Sequence, residues 1–302
     1  MASRTWYEQA AAAGNTDAMS NLGYLAESEG DLDGALIWCA RAAAAGNTDA
    51  MVKLGYLAEE EGDPDGARGW YEQAAAAGNA TAMWFLGVLA QEEGDLDGAR
   101  GWYEQAAAEG DTDAMVNLGV FAQEEGDLDG ARGWYEQAAA AGNAAARFNL
   151  GVLAQEEGDP DRAHDWYEQA AAAGDTDAMV RLGYLAESEG DLDGARGWYE
   201  PAAVAGNAAA RWFLGVLAES EGDLDRAHDW YEQAAAAGDT DAKNELSALT
   251  PDSLAPNDLA AVNPIQASAT PSGPRKVRFC EQCGAARNPD ARFCGECGGQ
   301  FL

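Results

Sequence analysis

Positive charge is scarce in this 302-residue chain: 18 lysines and arginines stand against 53 aspartates and glutamates, for a net charge of −35. The deficit lies entirely in residues 1–247, where 13 basic residues meet 48 acidic ones; residues 248–302 carry five of each. A body this acidic repels nucleic acid and anionic membrane surfaces and favours basic proteins or peptides as partners. Long apolar runs are missing too, and none approaches the roughly 18 residues that read as a membrane helix. The opening Met1–Gln9 has no hydrophobic stretch of the signal-peptide kind, so the cytoplasm is the expected location. Cysteine is limited to five residues, four of them in two close pairs near the C-terminus, which excludes a disulfide framework and points to metal ligation in a reducing compartment. Proline is down to nine and histidine to two. What is plentiful is glycine (36) and tryptophan (10), and so many indoles argue against a disordered chain.

The tryptophans are periodic. Trp6, Trp38, Trp70, Trp102, Trp134, Trp166, Trp198 and Trp230 are 32 residues apart, and a Leu-Gly pair recurs in the same phase from Leu22-Gly23 to Leu214-Gly215. Seven full repeats run from about residue 16 to 239, with a half repeat on each side. Each repeat divides into two helices. In residues 80–111 the first is expected from Ala80 to Glu93, with Met83, Leu86, Leu89 and Ala90 on one stripe. Asn79 precedes it as N-cap, and the equivalent residue is always Asn or Asp. Gly94 suits a left-handed C′ position, and Asp95 caps the second helix, which ends at Gly110. Pro64 and Pro160 occupy the position after that cap in two other repeats, which fixes the helix start. Gly23 and its equivalents fall inside the first helix, where glycine costs about 1 kcal/mol relative to alanine, so close helix contact is expected there. Pro201, in mid-helix, predicts a local kink.

A 32-residue hairpin cannot bury its apolar face alone; stacking against neighbours buries it. The pattern in residues 67–87, with Ala67, Trp70, Tyr71, Ala74, Ala75, Gly78, Ala82, Leu86 and Gly87, resembles the Sel-one-like repeat, a relative of the tetratricopeptide repeat. The Glu-Gly-Asp-x-Asp turn between helices is shorter than in most Sel-one-like hairpins and tetratricopeptide-like in length. The resemblance covers about four fifths of the chain. It implies an all-α fold, a right-handed superhelical solenoid of 32-residue hairpins, and the role of an adaptor or assembly platform.

In related solenoids the first helix of each hairpin lines the concave face. Projected on this register, one ladder is Ser20, Val52, Trp84, Val116, Phe148, Val180, Trp212 and Asn244. A second is Tyr24, Tyr56, Val88, Val120, Val152, Tyr184 and Val216, and a third is Glu27, Glu59, Gln91, Gln123, Gln155, Glu187 and Glu219. Trp84, Trp212, Phe148, Tyr24, Tyr56 and Tyr184 are the candidate partner-binding residues, since grooved aromatics are the usual hot-spot chemistry. The competing expectation is that these side chains pack between neighbouring hairpins.

Near the C-terminus, Cys280-x-x-Cys283-Gly284 and Cys294-x-x-Cys297-Gly298 form two knuckles with a ten-residue spacer. Four thiolates at this spacing suit tetrahedral Zn2+ and leave no open position for catalysis, so the metal is expected to be structural. The segment resembles the short zinc ribbons at the ends of many bacterial proteins. Phe279, Phe293 and Phe301 are its candidate cover, and the metal would supply the folding energy that so small a module lacks. A redox dithiol and nucleic-acid binding through Arg275, Lys276, Arg278, Arg287 and Arg292 are weaker alternatives beside so acidic a body. The domain reading is therefore 1–247 repeat solenoid, 248–274 flexible linker rich in Pro, Ala, Ser and Asn, and 275–302 ribbon.

Three sharper patterns fail on their own terms. Glu61-x-Asp63-x-Asp65-Gly66 approximates a calcium loop, but two repeats place Arg162 and Arg226 where glycine is required. His164-Asp165 and His228-Asp229 invite a general-base reading without any nucleophile or pocket to serve. Cys39 stands where other repeats have tyrosine, as packing rather than a nucleophile. The sequence thus reads as a non-enzymatic scaffold that binds a basic or apolar peptide or protein segment, with no small-molecule substrate, no membrane and no nucleic acid. The alternative is a zinc-ribbon recruitment factor in which the solenoid is a spacer.

Overall fold

The chain alternates stop and start signals every 16 residues, and each pair folds as one device. At Gly94, φ is +81°, which only glycine adopts without strain. Its N–H donates to the Gln91 carbonyl at 3.0 Å, and the next N–H, from Asp95, donates to Ala90 at 2.9 Å. These two bonds close the helix. The Asp95 carboxylate then accepts from Gly98 N–H at 3.0 Å and caps the following helix. One residue so ends one helix and begins the next. The equivalent glycines from Gly14 to Gly238 all have φ between 77° and 102°.

The computed structural model describes residues 2–249. Among them it contains sixteen helices and no strand. They are α1 (Ala2–Ala12), α2 (Thr16–Ser28), α3 (Leu32–Ala44), α4 (Thr48–Glu60), α5 (Pro64–Ala76), α6 (Ala80–Glu92), α7 (Leu96–Ala108) and α8 (Thr112–Glu124). There follow α9 (Leu128–Ala140), α10 (Ala144–Glu156), α11 (Pro160–Ala172), α12 (Thr176–Glu189), α13 (Leu192–Val204), α14 (Ala208–Ser220), α15 (Leu224–Ala236) and α16 (Thr240–Leu249). Even-numbered helices begin hairpins and odd-numbered ones complete them. None of the described helices is long and apolar enough to cross a membrane. The expected linker over 248–274 starts two residues early, since α16 takes in Ala248 and Leu249; the rest of it and the ribbon, with Cys280, Cys283, Cys294 and Cys297, lie outside the described residues.

The chain divides into two compact units, one ending at Leu153 and one beginning at Ala154. Within each, a helix packs on its hairpin partner and on the first helix of the next hairpin. The core of the first unit joins Tyr71 and Tyr103 to Met83, Leu86, Leu89, Leu118 and Phe121, with alanines such as Ala67, Ala74, Ala99 and Ala106 fully buried between the helices. The second unit repeats this with Tyr199, Phe213, Leu214 and Leu217. Burying each large side chain contributes about 1.5–3 kcal/mol.

The glycines inside the first helices are where the tyrosines go. A Cβ on Gly87 would fall on the Tyr103 ring, and the same holds for Gly55 with Tyr71, Gly119 with Tyr135, Gly183 with Tyr199 and Gly215 with Tyr231. The missing methyl lets a fully buried aromatic ring lie flat against a helix backbone, which outweighs the propensity cost. Pro201 does not interrupt α13, which continues to Val204. Proline there forfeits one hydrogen bond and presses its ring toward the carbonyl of Gly197, four residues back.

Neighbouring hairpins are matched through their caps. Asn47, Asn79, Asn143 and Asn207 accept a helix N–H through Oδ1 and donate through Nδ2 to the preceding hairpin, at Asp17, Asp49, Asp113 and Asp177 respectively, over 2.8–2.9 Å. The cap is aspartate at 111, 175 and 239, and those are the places where the preceding hairpin begins Ala80-Thr81, Ala144-Ala145 and Ala208-Ala209, without an aspartate. From 47 onward, asparagine is used where the preceding hairpin presents a carboxylate to be met by a donor, and aspartate where it presents none.

Candidate functional site

The first ladder does most of its work inside the stack. Ser20, Phe148 and Val180 are buried, Val52 and Val116 are half-buried, and Asn244 is exposed. Trp84 and Trp212 are half-buried rather than the open groove aromatics that the sequence suggested. Each indole meets its neighbour edge-on, Trp84 against Phe85 at 4.9 Å and Trp212 against Phe213 at 4.9 Å. Phe85 stacks flat on Tyr71 at 4.8 Å, and Phe213 on Tyr199 at 5.0 Å. The two triads are the same construction on two hairpins. In both, the indole Nε1–H is buried and has no hydrogen-bond acceptor among the described residues. An unpaired buried donor costs about 1–3 kcal/mol, and so calls for an explanation.

The third ladder is committed to the core. The hydroxyl of buried Tyr103 donates to Gln91 at 2.9 Å, Tyr135 to Gln123 at 3.1 Å and Tyr167 to Gln155 at 3.0 Å. Tyr71, Tyr199 and Tyr231 donate to Glu59, Glu187 and Glu219 over 3.0–3.2 Å. Burial raises the pKa of Glu59 and Glu187, against the pull of the tyrosine hydroxyls. Burial likewise pushes the Tyr167 phenol up to about 12.

The second ladder is the open one. Tyr24 is 44% exposed, Tyr56 39% and Val120 37%, while Val88, Val152, Tyr184 and Val216 are half-buried. Between Tyr24 and Tyr56 lies Lys53, its ammonium 5.6 Å from the first ring centroid and 4.6 Å from the second. It also pairs with Glu27 at 2.6 Å. This small aromatic, cationic and acidic cluster escaped the sequence reading. Its signal was a double departure: Cys39 removes the tyrosine hydroxyl that would have met Glu27, and lysine enters at 53 to meet it instead. Cys39 is buried, a Cβ on Gly23 would fall on its sulfur, and burial raises its thiol to about 11. A thiol so protonated is no nucleophile. Asp63, the middle acid of the calcium-like pattern, is spent on the Gly66 N–H as a helix cap, at 3.0 Å.

A family model described as tetratricopeptide repeat matches residues 2–50, 52–114, 118–178, 148–207 and 202–242. Among solved structures, a Sel1 repeat protein from Oxalobacter formigenes is 28% identical with a TM-score of 0.62, over 71% of this chain and 98% of that one. A protective antigen of uropathogenic Escherichia coli displaying an SLR fold is 29% identical with a TM-score of 0.53; the match covers 81% of this chain but only 59% of the antigen's length. Yeast Tom70, at 14% identity, a TM-score of 0.62 and coverage of 86% of this chain and 60% of its own, shares the fold alone. No curated protein sequence matches the chain.

Proposed function

Because this chain belongs to the tetratricopeptide-repeat family, we propose that it is a non-enzymatic scaffold which holds a protein or peptide segment against the first helices of its hairpins. Proteins of this repeat class are generally protein-interaction scaffolds. The observation that carries the reading is the second ladder, where Tyr24, Tyr56 and Val120 leave apolar surface open at one register of the first helices α2, α4 and α8. Around it the net charge of −35 favours a basic or partly apolar partner. Within the first unit the indole of Trp84 supports it: its N–H has no acceptor among the described residues, and a partner carbonyl could supply one. In this reading the hairpins wind as a right-handed superhelix and the protein works in the cytoplasm.

The same reading assigns a structural Zn2+ to Cys280, Cys283, Cys294 and Cys297 in a ribbon over 275–302, joined by a linker over 250–274, on the strength of the two-knuckle spacing. Metal analysis of the purified chain is expected to give one zinc, lost when Cys280 and Cys283 are replaced by serine; a metal-free chain from zinc-replete cells overturns the assignment.

Cross-linking of partners in native cells tests the scaffold. The variant Tyr24→Ala with Tyr56→Ala is expected to lose the cross-linked partner and keep its helicity, whereas Leu32→Ala, an exposed change on α3, keeps the partner. Deletion of 275–302 is expected to leave capture intact. Capture that ignores the tyrosines and disappears with the ribbon would make the hairpins a spacer.

A further inference from the structure

The second helix of the hairpin is nearly constant, and it departs from its own pattern in one coordinated way, twice. In α5, α7, α9 and α13 the residues after the first turn read Gly-Ala-Arg-Gly-Trp-Tyr-Glu. In α11 and α15 the same seven positions read Arg-Ala-His-Asp-Trp-Tyr-Glu. Glycine becomes Arg162 and Arg226, arginine becomes His164 and His228, and glycine becomes Asp165 and Asp229. These are the only two histidines of the chain.

The arginine that is given up has a use elsewhere. Arg68 reaches Glu93 in the turn of the next hairpin at 2.7 Å, and Arg100 and Arg196 reach Glu125 and Glu221 in the same way. The positive charge is not discarded but moved: Arg162 pairs with Glu157 and Arg226 with Glu200, both at 3.6 Å. Keeping the arginine's ion pairs therefore does not require the histidines. What the exchange creates is a nitrogen donor beside two carboxylates. In His164, Asp165 and Glu168, and again in His228, Asp229 and Glu232, one ligand atom of each residue lies within 4.8 Å of the other two.

We propose that each triad is a binding site for a divalent transition-metal ion of borderline softness, zinc or nickel in kind. One imidazole and two carboxylates suit such ions, and hard magnesium or calcium would have no use for the imidazole. Carboxylates cover this protein, so acidity alone marks no site; the imidazole singles out these two. The strongly negative body raises the local concentration of cations. The triads lie at the surface, so an ion enters without opening the fold. Three protein ligands from one helix leave coordination positions free for water or for a donor of a docked partner. The competing use is a helix-stabilising pair of His164 with Glu168, four residues on and 3.9 Å away.

The full-length chain, given one equivalent of zinc to occupy its thiolates, is titrated with nickel chloride in physiological salt. Two-dimensional proton–nitrogen spectra follow the imidazole signals, of which there are only two sets. Saturable paramagnetic broadening of both is expected in the micromolar range. Asp165→Asn with Glu168→Gln should weaken nickel binding at His164 by at least about tenfold, and leave His228 unchanged as an internal control. No saturation below about 1 mM, or unaltered affinity at His164 in that variant, overturns the proposal and leaves the triads as surface ion pairs. Far-ultraviolet circular dichroism confirms that the variant, changed only at exposed positions, remains folded.

Discussion

Replacing Asn79 by aspartate tests whether neighbouring hairpins recognise each other through their caps. Aspartate caps a helix as well as asparagine does, so the bond that Oδ1 accepts from Ala82 N–H is retained. What is lost is the donation from Nδ2 to the preceding hairpin, to Asp49 at 2.9 Å and to Thr48 Oγ1 at 3.1 Å; the Thr48 hydroxyl can turn and donate to the new carboxylate, so the Asp49 bond decides the cost. A hydrogen bond to a charged acceptor contributes about 1.5–3 kcal/mol. In its place come two carboxylates about 4 Å apart, which repel by about 1–4 kcal/mol between the bulk-water and near-surface limits of effective dielectric. Asp49 is exposed, so solvent screening holds both terms to their low ends. The expected penalty for Asn79→Asp is about 2 kcal/mol at neutral pH and low salt. The mirror change, Asp111→Asn, meets Ala80 and Thr81 instead of a carboxylate and should cost less than about 0.5 kcal/mol. Adding Asp49→Ala to Asn79→Asp should recover most of the loss. Repeat arrays need not unfold in one step, so hydrogen exchange across α6 is the assay of choice, with urea unfolding beside it. If Asn79→Asp proves as mild as Asp111→Asn, or its penalty persists with Asp49 gone, the cap matching is coincidence.

Gly87→Ala, whose methyl would strike the Tyr103 ring, is expected to destabilise by about 1–3 kcal/mol. Gly101→Ala on α7, where a Cβ meets nothing, should stabilise by about 0.5–1 kcal/mol; paired thermal melts decide, and like signs would refute the close-approach account. Burial raises Glu59, Asp111, Asp175, Glu187 and Asp241 above their ordinary carboxylate values. The folded state therefore takes up protons more readily than the unfolded one, and this contribution is present at low pH and lost as pH rises through the raised values. The melting temperature should accordingly rise between about pH 7 and about pH 5, and a steady fall over that range would contradict it. Added salt should raise the melting temperature at neutral pH by screening the carboxylates; an unresponsive midpoint between low and moderate ionic strength would show that their repulsion is negligible.

The periodic signals in the sequence were local ones, and they survive translation into structure. Asp95, Gly94 and Pro64 act through backbone groups within a turn or so of themselves, so helix ends are legible to within a residue or two. Gly87 was recognisable as a close-contact position because nothing else justifies glycine at a mid-helix site. Which side chain fills that space was not legible, because Tyr103 lies 16 residues away on a different helix. The candidate site fared less well for the same reason. Register gave three ladders with equal plausibility, and only packing sorted them, into one largely inside the stack, one bonded to buried tyrosines and one left open. Lys53 between Tyr24 and Tyr56 depends on contacts from two hairpins at once.

By itself, then, the sequence determined the 16-residue alternation of helix and turn, the pairing of helices into hairpins and the sign of the charge, since each follows from neighbours along the chain or from composition. The tertiary structure decided which apolar residues are surface and which are core, and why Asn79 is asparagine and Asp111 aspartate. Those answers depend on atoms about 30 positions away in sequence and 2.9 Å away in space, a proximity that exists only once the hairpins have stacked.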